Sequence, residues 1–446
     1  MNPTPVSGWG NAERRLCTVL EGPVEDLRST IEAAPVGGIC LRGEGRGYGD
    51  CATNGGGVVY RLNDAGGRIR IDTSSHVADV VAGVKLWELY LEAAKHQLVV
   101  PVTPGTRNVT IGGMLAADVH GKNHHRDGSI FNHVVEVDML DGLGNLHRVG
   151  PQDERFWFLA GGMGAGAAIV SARIKLEPIP GPYIDQRTTL GKDFAEVIQA
   201  MEAADTNRFS VAWIDLANKN GRGIVTSGEW SQDRGWEGSR FEAELTGRKF
   251  GLMGTSPVNL INQASVKAFN QLWWERYRRG SSEQTVGLGK FFHPLDGISG
   301  WNGLYGGAGF LQYQFVVPET SYQVLETIVD DLISRKVGTP MVVLKKFGAG
   351  NPGMLSFPKP GWTLAVDIPT RVPGLGTMLR RYDELVAGSG GRVYLAKDHN
   401  VQREHFLEMY PDVTKWQQIR ELLDPKDVYQ SDLLRRLGLV KQRSES

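Results

Sequence analysis

The amino-acid sequence predicts an α+β protein built as two domains. Short apolar runs bounded by glycine, such as 37–43 and 57–62, alternate with amphipathic helical patterns such as 24–34 and 85–97. The short runs indicate buried strands, and the spaced apolar positions indicate helices that pack on one side. We therefore predict a first domain over residues 1–180.

The pattern changes after this point, because strands and helices become longer. Strand-like runs occur at 208–217 and 309–318, and helical patterns occur at 321–336 and 375–390. These features predict a second domain over 181–391 that is built on a sheet with helices.

Residues 231–300 fit neither pattern. They are rich in aromatic and basic residues, and we predict long loops that form a lid. The stretch "WWERYRR" (273–279) is open to two interpretations, either core with basic ends or a lid that touches lipid phosphate.

Composition narrows the class of protein. The 446-residue chain has a formal net charge of −1, with 41% hydrophobic and 22% charged residues, so it offers no basic excess for nucleic acid. No apolar run reaches the roughly 18 residues that span a bilayer. The N-terminus has no pattern of a signal peptide, so we expect a cytoplasmic protein with at most a peripheral membrane contact. The three cysteines match no zinc pattern.

Three glycine clusters point to a ligand that is held by main chain. In "LRGEGRGYGD" (41–50), glycine occupies every second position from Gly43, and the exposed amides suit a diphosphate, although a surface turn alone would fit as well. "IGG" (111–113) opens a short helix whose N-terminus also favours phosphate. With a third cluster at 160–168, the pattern fits a dinucleotide, and flavin better than nicotinamide.

The stretch "HGKNHH" places His120, His124 and His125 within six positions. It fits a metal site, a catalytic base or a loop that holds another ligand. No cysteine or carboxylate is arranged to complete a metal shell, and the neighbours are glycine and small residues. We therefore expect no metal and favour the ligand loop.

The stretch "GFLQYQF" (309–315) predicts a strand whose alternation puts Gln312 and Gln314 on one face. Buried glutamines are costly unless they are hydrogen-bonded, so a pair that faces a ligand is favoured. Trp213 in "VAWID" fits a pocket wall and core packing equally well.

Together these stretches resemble the vanillyl-alcohol-oxidase family, which has a PCMH-type FAD-binding fold, and within it the oxidases of polyprenylphosphoryl ribose. The resemblance covers nearly the whole chain, and "DVHGKNHH" and "GFLQYQF" are its most specific parts. Other matching stretches are "SGWG" (7–10), "GRGYGD" (45–50), "FFHPLD" (291–296), "WNGLYGG" (301–307), "LSFPKPGW" (355–362), "YLAKD" (394–398), "MYP" (409–411) and "SDLLRRL" (431–437). The resemblance implies an FAD domain made of 1–180 and 392–446, which encloses the substrate domain.

The resemblance also implies that FAD is bound non-covalently. Relatives that tether flavin through histidine place one in the first glycine loop, and this loop has none. The positions that match FAD contacts are Gly43, Gly45, Arg46, Gly47, Tyr48, Gly49, Pro104, Gly105, Thr106, Thr110, Gly112, Gly113, Ala116, Ala117, Val119, His120, Gly121, Asn123, His124, Gly128, Ile169 and Tyr394.

For the chemistry, the resemblance places Lys397 nearest the flavin and the reacting alcohol, with Tyr48 as a second catalytic residue. Oxidation of an alcohol needs a closely held hydride acceptor and a group that takes or stabilises the hydroxyl proton. A lysine here could lower the alcohol pKa, bind phosphate or support reduced flavin. The implied substrate contacts are Lys122, Gln312, Gln314, Lys345, Trp213 and Tyr305, with Lys122 and Lys345 as phosphate anchors.

The implied function is FAD-dependent oxidation of the 2-hydroxyl of a polyprenylphosphoryl ribose, or a related pentose derivative, to the 2-keto sugar. A separate NAD(P)H-dependent short-chain reductase would then complete a ribose-to-arabinose epimerisation. The alternative enzyme is an alditol or aldonolactone oxidase that uses oxygen. The alternative from another class is a flavin-free binding protein or a metal protein.

At three positions near the expected sugar pocket the chain departs from the family pattern. Ala365 stands where a cysteine is frequent, Thr363 where an amide residue is expected, and Gly47 where a serine is expected. Hydride transfer does not need that thiol, so we expect activity to survive. Covalent capture by agents directed at the thiol is not expected.

Overall fold

The computed structural model describes residues 2–63, 69–233, 235, 238–246, 250–251, 256 and 260–440. Its strands are β1 (Thr4–Val6), β2 (Arg15–Gly22), β3 (Ile39–Leu41), β4 (Val58–Leu62), β5 (Ile69–Asp72), β6 (Val77–Val81), β7 (Leu98–Val99), β8 (Val134–Asp141), β9 (Leu146–Val149), β10 (Ala167–Lys175), β11 (Glu177–Pro178), β12 (Tyr183–Gly191), β13 (Phe209–Ile214), β14 (Gly223–Trp230), β15 (Phe250–Gly251), β16 (Glu283–Gly287), β17 (Ile298–Ser299), β18 (Phe310–Val317), β19 (Val342–Phe347), β20 (Gly361–Pro369) and β21 (Arg392–Val393).

Helices lie between these strands. The α-helices are α1 (Val24–Glu32), α2 (Leu86–Ala94), α3 (Ile111–Ala116), α4 (His124–Asp127), α5 (Glu154–Leu159), α6 (Phe194–Ala204), α7 (Gly238–Thr246), α8 (Gln263–Arg279), α9 (Leu288–Phe292), α10 (Tyr322–Ser334), α11 (Leu375–Gly388), α12 (Arg403–Met409), α13 (Val413–Leu423) and α14 (Asp432–Arg436). Short 3-10 helices span Ile130–His133, Pro294–Gly297, Trp301–Tyr305 and Glu319–Ser321. The mixture confirms the predicted α+β class.

Two sheets form the N-terminal part. The first has the order β1-β2-β4-β3, with β2 and β3 both parallel to β4. The second has the order β5-β6-β10-β8-β9 and is antiparallel throughout. Apolar side chains of both sheets meet in one cluster, which includes Tyr60 and Leu140.

The middle of the chain builds one eight-stranded antiparallel sheet in the order β16-β12-β14-β13-β19-β20-β18-β21. Helix α6 packs on β12, β13 and β14, and α10 and α11 pack near β18. Strand β18 alternates as its sequence predicts, because the Tyr313 hydroxyl donates to Asp383 on α11 (2.9 Å) while Gln312 and Gln314 line the opposite face.

The prediction of long loops over 231–300 is wrong for most of the described residues in it. Helix α8 is the longest helix in the described chain, and α7, β16 and α9 lie in the same stretch. The apolar side chains of α8 cover a wide arc that also holds Asn270 and Arg276, so the clear apolar stripe expected of a surface helix is absent from the sequence. Positions 234, 236–237, 247–249, 252–255 and 257–259 lie outside the described residues.

The C-terminal segment returns to the N-terminal part after one strand. Strand β21 pairs with β18 of the large sheet, and Tyr429 then forms a bridge with Ile39 of β3. The boundaries 1–180, 181–391 and 392–446 remain predictions. Within the described ranges, we find no helix whose length and apolar character would let it cross a bilayer.

One buried ion cluster holds the C-terminal segment in place. Arg436 on α14 donates to both carboxylate oxygens of Asp50 (2.8 and 3.0 Å) and to Asp398 (2.7 Å). Both carboxylates are buried. Asp50 follows the first glycine loop and Asp398 follows Lys397, so Arg436 ties these two segments together.

We expect Arg436→Met to lower the free energy of unfolding by about 3–5 kcal/mol, because it leaves two buried carboxylates without their cation. The measurement is urea unfolding followed by circular dichroism. Arg148→Met is the matched control, since Arg148 forms an exposed pair with Asp138 (2.8 Å) and is expected to cost about 0–1 kcal/mol. Equal losses in the two variants would contradict this prediction.

Candidate active site

A deep cleft lies between the N-terminal part and the large sheet. Its empty volume is about 1540 Å³, including solvent at its opening. Its walls are the first glycine loop, the second loop from Pro104 to His120, the inner face of β18, β19 and β20, and the segment Tyr394–Lys397. A neighbouring cavity of about 550 Å³ shares Gly43, Thr110 and Gly113 with it, so the two form one elongated space.

The first glycine loop needs glycine for two different reasons. Gly45 has a φ of 62°, in the left-handed region that glycine tolerates best. Gly49 packs directly against the backbone of Asp398, where a Cβ would overlap the carbonyl oxygen. The Tyr48 amide donates to Ala396 O (3.0 Å), so the loop is joined by main chain to the C-terminal segment.

The second loop is fixed by a cap and by a carboxylate. Thr110 caps α3, because its hydroxyl accepts from the Gly113 amide (3.2 Å). Asp296 accepts from the Thr106 hydroxyl (2.6 Å) and from the Arg107 amide (2.8 Å). The motif "FFHPLD" therefore holds the outer end of this loop.

The histidine-rich stretch contributes His120 to the cleft. Gln314 Nε2 lies 3.0 Å from His120 Nε2, which must then accept, and Nδ1 has no hydrogen-bond partner among the described residues. Burial, together with Lys345, lowers the pKa of His120 well below its usual range, so the ring is neutral. His124 packs on Phe347 with ring centroids 4.4 Å apart. In the part of the chain that is described, no three metal-binding side chains cluster.

Three lysines gather around the inner end of the cleft. Lys397 Nζ lies 3.8 Å from the centre of the Tyr48 ring, and burial lowers its pKa to about 7. Burial lowers the pKa of Lys345 to about 8, and burial with the nearby Lys345 lowers that of Lys122 to about 7. Lys122 donates to Phe291 O and lies 4.4 Å from the centre of that ring.

Asp367 on β20 is a residue that the sequence interpretation missed. It is fully buried and accepts from Gln312 Nε2 (2.6 Å). Burial raises the pKa of Asp367 to about 7, against the opposing effects of Gln312, Lys397 and the Tyr305 hydroxyl. Alternation in "WTLAVDIP" puts Asp367 on the face of Thr363 and Ala365, and this was the signal available to find it.

Most predicted residues line the elongated space, and some do not. Those that line it are Gly43, Gly45, Arg46, Gly47, Tyr48, Pro104, Gly105, Thr106, Thr110, Gly112, Gly113, Ala116, Ala117, Val119, His120, Ile169, Gln312, Gln314, Lys345, Tyr394 and Lys397. Those outside its lining are Gly49, Gly121, Lys122, Asn123, His124, Gly128, Trp213 and Tyr305.

The residues outside the lining have other partners. Asn123 donates to Pro101 O (2.8 Å) and supports the loop from behind. Trp213 donates to Pro340 O (2.8 Å) and pairs with the cleft-lining Val343, so it lies on the same face of the sheet but one strand further along. Tyr305 stacks on Phe310 with ring centroids 4.0 Å apart and is buried. Gly128 has a φ of 70° and turns the chain into the 3-10 helix that follows it.

Some lining residues are not among the predicted site residues, although several lie in stretches that match the family, such as "SGWG" and "FFHPLD". They are Trp9, Cys51, Met163, Asp296, Trp301, Met341 and Val343. Trp9 lies under the Arg46 guanidinium at 3.8 Å. Two positions that depart from the family pattern, Ala365 and Gly47, also lie in this region. Ala365 lines the cleft, and a Cβ at Gly47 would come within 2.7 Å of Cys51 Sγ.

The cleft fits FAD on observations of its own. It is elongated, a Cβ at Gly105 would meet open space, and Arg46 Nε and His120 Nδ1 are buried without protein partners among the described residues. The lysines add positive charge that an anionic ligand balances. These features match a flat dinucleotide with a diphosphate.

We expect Gly113→Val to fold but to purify without bound flavin. A Cβ at Gly113 meets only the Thr110 hydroxyl oxygen within 4 Å (3.1 Å), so the larger side chain extends into the elongated space. The measurement is the ratio of visible flavin absorbance to protein absorbance. Gly376→Val in α11 is the control, because a Cβ there meets only Arg380, at 3.7 Å. Full flavin content in Gly113→Val would contradict the placement of FAD in the elongated space beside Gly113.

Comparisons with known proteins agree with this geometry. The model of the FAD binding domain matches residues 17–150, and that of D-arabinono-1,4-lactone oxidase matches residues 367–437. The chain is 36% identical to decaprenylphosphoryl-beta-D-ribose oxidase from Mycolicibacterium smegmatis, over 97% of each protein. It is 25% identical to alditol oxidase from a Streptomyces species over 39% of this chain and 42% of that protein. It is 32% identical to cytokinin dehydrogenase 10 from Oryza sativa over 32% of this chain and 28% of that protein.

The extent of the first match, the FAD-domain match and the cleft lead to one conclusion. The protein is an oxidoreductase whose cofactor is FAD. The chain belongs to the decaprenylphosphoryl-beta-D-ribose oxidase family.

Proposed function

We propose that the protein uses FAD to oxidise the 2-hydroxyl of a ribose, carried through a phosphoryl group on a polyprenyl chain, to the 2-keto sugar. The observation that carries this proposal is a set of three buried lysines, with Lys345 and Lys397 in the lining of the FAD cleft and Lys122 beside it, and with Asp367 as a carboxylate neighbour of Lys397. An anionic sugar substrate supplies the missing negative charge. The name of the M. smegmatis relative supports the choice of sugar.

Lys397 is the proposed proton acceptor. FAD, when bound, accepts the hydride that leaves the sugar carbon. The hydroxyl proton goes to Lys397 Nζ, because an amine whose pKa is about 7 is partly neutral at neutral pH and can accept it. The Tyr48 ring holds the ammonium that results, since a cation is stable over an aromatic face.

Lys122 and Lys345 are the proposed phosphoryl anchors. The two amines lie close enough to each other for Lys345 to lower the pKa of Lys122. An ammonium is a compact charge that suits a phosphoryl group. The Phe291 carbonyl orients Lys122. Anion binding would raise both pKa values.

The two glutamines are proposed to orient the sugar. Gln314 Nε2 is directed at His120 (3.0 Å) and donates to Thr363 (3.3 Å), and Gln312 Nε2 donates to Asp367. With these donors engaged by the protein, the Gln314 carbonyl oxygen would accept from a sugar hydroxyl. Trp213 and Tyr305 would support the pocket from outside its lining.

Further parts of the proposal concern partners and organisation. We propose that FAD is held without a covalent bond, that a separate NAD(P)H-dependent short-chain reductase consumes the keto sugar, and that the protein contacts the membrane peripherally. We also propose that 1–180 and 392–446 form the FAD domain around a substrate domain of 181–391.

An alditol or aldonolactone oxidase is the second candidate. It is favoured by the partial likeness to alditol oxidase and by the lactone-oxidase model, whose matched range includes Asp367 and Lys397. Such neutral substrates would leave the charge of Lys122 and Lys345 without a counterpart, so we rank it second.

The main test is anaerobic bleaching of the bound flavin by a short-chain polyprenylphosphoryl ribose, by free ribose and by an alditol. We expect the phosphorylated sugar to bleach the flavin fastest at low concentration. Lys397→Met should keep its flavin but lose rate on the order of 10²–10⁴-fold, because the proton acceptor is gone. Faster bleaching by the alditol would favour the second candidate.

The anchor role has a matched pair of variants. Lys345→Met should weaken the apparent affinity for the phosphorylated sugar by roughly 10- to 100-fold, as expected for loss of a charged hydrogen bond. Lys346→Met should leave it unchanged, because Lys346 lies on the other face of β19 and pairs with Asp205 (2.8 Å). Equal losses of affinity in the two variants would show that Lys345 does not anchor the phosphoryl group.

We also expect proton uptake when ribose 5-phosphate binds the FAD-loaded protein at pH 8.5. The pKa values of Lys122 and Lys397 are about 7 and that of Lys345 is about 8, so at pH 8.5 these amines are largely neutral. A bound anion raises these values, and roughly one to two protons enter per ligand. Calorimetry in two buffers of different ionisation enthalpy measures the number of protons taken up per bound ligand. Lys122→Met should reduce it, and an unchanged or negative number would contradict the assignment.

A further inference from the structure

The apolar side chains of helix α8 cover one wide arc, and part of that arc stays exposed among the described residues. On the inner face, Val266, Asn270 and Trp274 are buried. Asn270 Nδ2 donates to Asp215 Oδ1 (2.7 Å), and the Arg222 guanidinium lies 4.7 Å from the centre of the Trp274 ring. The helix is therefore docked firmly on the protein by this face.

The outer face carries an aromatic stripe, which we define as Phe269, Leu272, Trp273 and Tyr277. The Phe269 and Trp273 rings stack with centroids 6.0 Å apart, and the Trp273 and Tyr277 centroids are 5.2 Å apart. Leu272 is 72% exposed and Phe269 is 49% exposed. A contiguous exposed apolar surface of this kind is typical of a site that binds another molecule or a membrane.

The stripe is bordered by positive charge. Helix α8 has four basic side chains and one acidic one, Glu275, although the whole chain has a net charge of −1. Glu275 pairs with Arg278 (2.7 Å) and Arg279 (3.3 Å), while Lys267 and Arg276 are exposed on the helix. The partner of this surface must therefore be apolar and anionic at once.

The segment that leads into α8 lies close to the wall of the cleft. Just before α8, the Leu260 amide donates to Leu304 O (3.0 Å), in the 3-10 helix whose Trp301 lines the cleft. Leu260 and Ile298, in the same region, are exposed hydrophobic residues as well. A contact surface here would bring the cleft near whatever the stripe binds.

We propose that the aromatic stripe is the surface by which this protein docks on an anionic lipid bilayer. Aromatic and leucine side chains enter the interfacial layer, and lysine and arginine lie at the lipid phosphates, as in interfacial amphipathic helices. A second copy of the chain fits less well, because two stripes meeting face to face would bring like charges together. This inference rests on the proposed function only for the reason that the protein would dock, which is to present a polyprenyl-linked substrate to the cleft.

The test is flotation of the FAD-loaded protein with vesicles that contain no sugar. Vesicles of phosphatidylcholine with phosphatidylglycerol should bind the protein roughly tenfold more than phosphatidylcholine alone, and high salt should reverse this. Leu272→Glu should lower binding roughly tenfold, because it puts a carboxylate in the stripe. Leu422→Glu on α13 is the matched control, since Leu422 is 80% exposed on a different helix, and it should bind like the parent.

A second measurement uses the neighbouring tryptophans of α8. Lipids with brominated chains should quench protein fluorescence, and Trp273→Phe should remove more of this quenching than Trp274→Phe, because only Trp273 lies in the stripe. Retained bleaching of the flavin by a short-chain substrate in Leu272→Glu would show that the cleft is intact.

Several outcomes would overturn the proposal. They are equal binding to both vesicle types, equal losses in Leu272→Glu and Leu422→Glu, or a concentration-dependent dimer that Leu272→Glu abolishes, which would assign the stripe to a second copy. Because the vesicles hold no sugar, these results do not depend on which sugar bleaches the flavin. Failure of the proposed substrate would appear only in the bleaching assay.

Discussion

The binding of Arg436 to Asp50 and Asp398 is the interaction on which the site depends. These carboxylates come from the two ends of the chain, next to Tyr48 and Lys397. The Tyr48 amide bonded to Ala396 O extends the same junction, so the Lys397 amine is held over the Tyr48 ring. A buried ionic cluster adds little net stability, but it defines one arrangement of its segments. The proposed proton acceptor is thus positioned in part by Arg436, Asp50 and Asp398, which lie outside the lining of the cleft.

The charge balance of the cleft favours anionic ligands. Lys122, Lys345 and Lys397 are all placed where burial lowers the pKa of an amine, and the raised pKa of Asp367 makes that carboxyl a weak counterion. His120 is neutral and adds no charge. Buried amines without a full counterion lower the stability of the folded protein, and a bound anion offsets this loss. The same physical feature suits the diphosphate of FAD and the phosphoryl group of the proposed substrate.

Much of the cofactor cleft could be predicted because its signals are local. The glycines of the two loops and the Gln312–Gln314 alternation depend on neighbours within a few residues, and the structure brings these stretches together. Asp367 could have been found from its own strand alternation. Asp296 and helix α8 could not, since the contact of Asp296 with Thr106 crosses a long stretch of chain, and Asn270 and Arg276 interrupt the apolar arc of α8 and conceal its period.

The sequence by itself determined the class of fold, the cofactor type and the residue types that surround the cofactor, because turns, strand faces and glycine loops are properties of short segments. Tertiary structure alone decided which of the predicted residues line the cleft. It placed Trp213 one strand beyond the lining of the cleft, Tyr305 against Phe310 and Lys122 beside Phe291, and it brought Asp367 next to Gln312. The reason is physical: burial and charge at a site depend on packing between distant segments, and no short window of sequence contains that information.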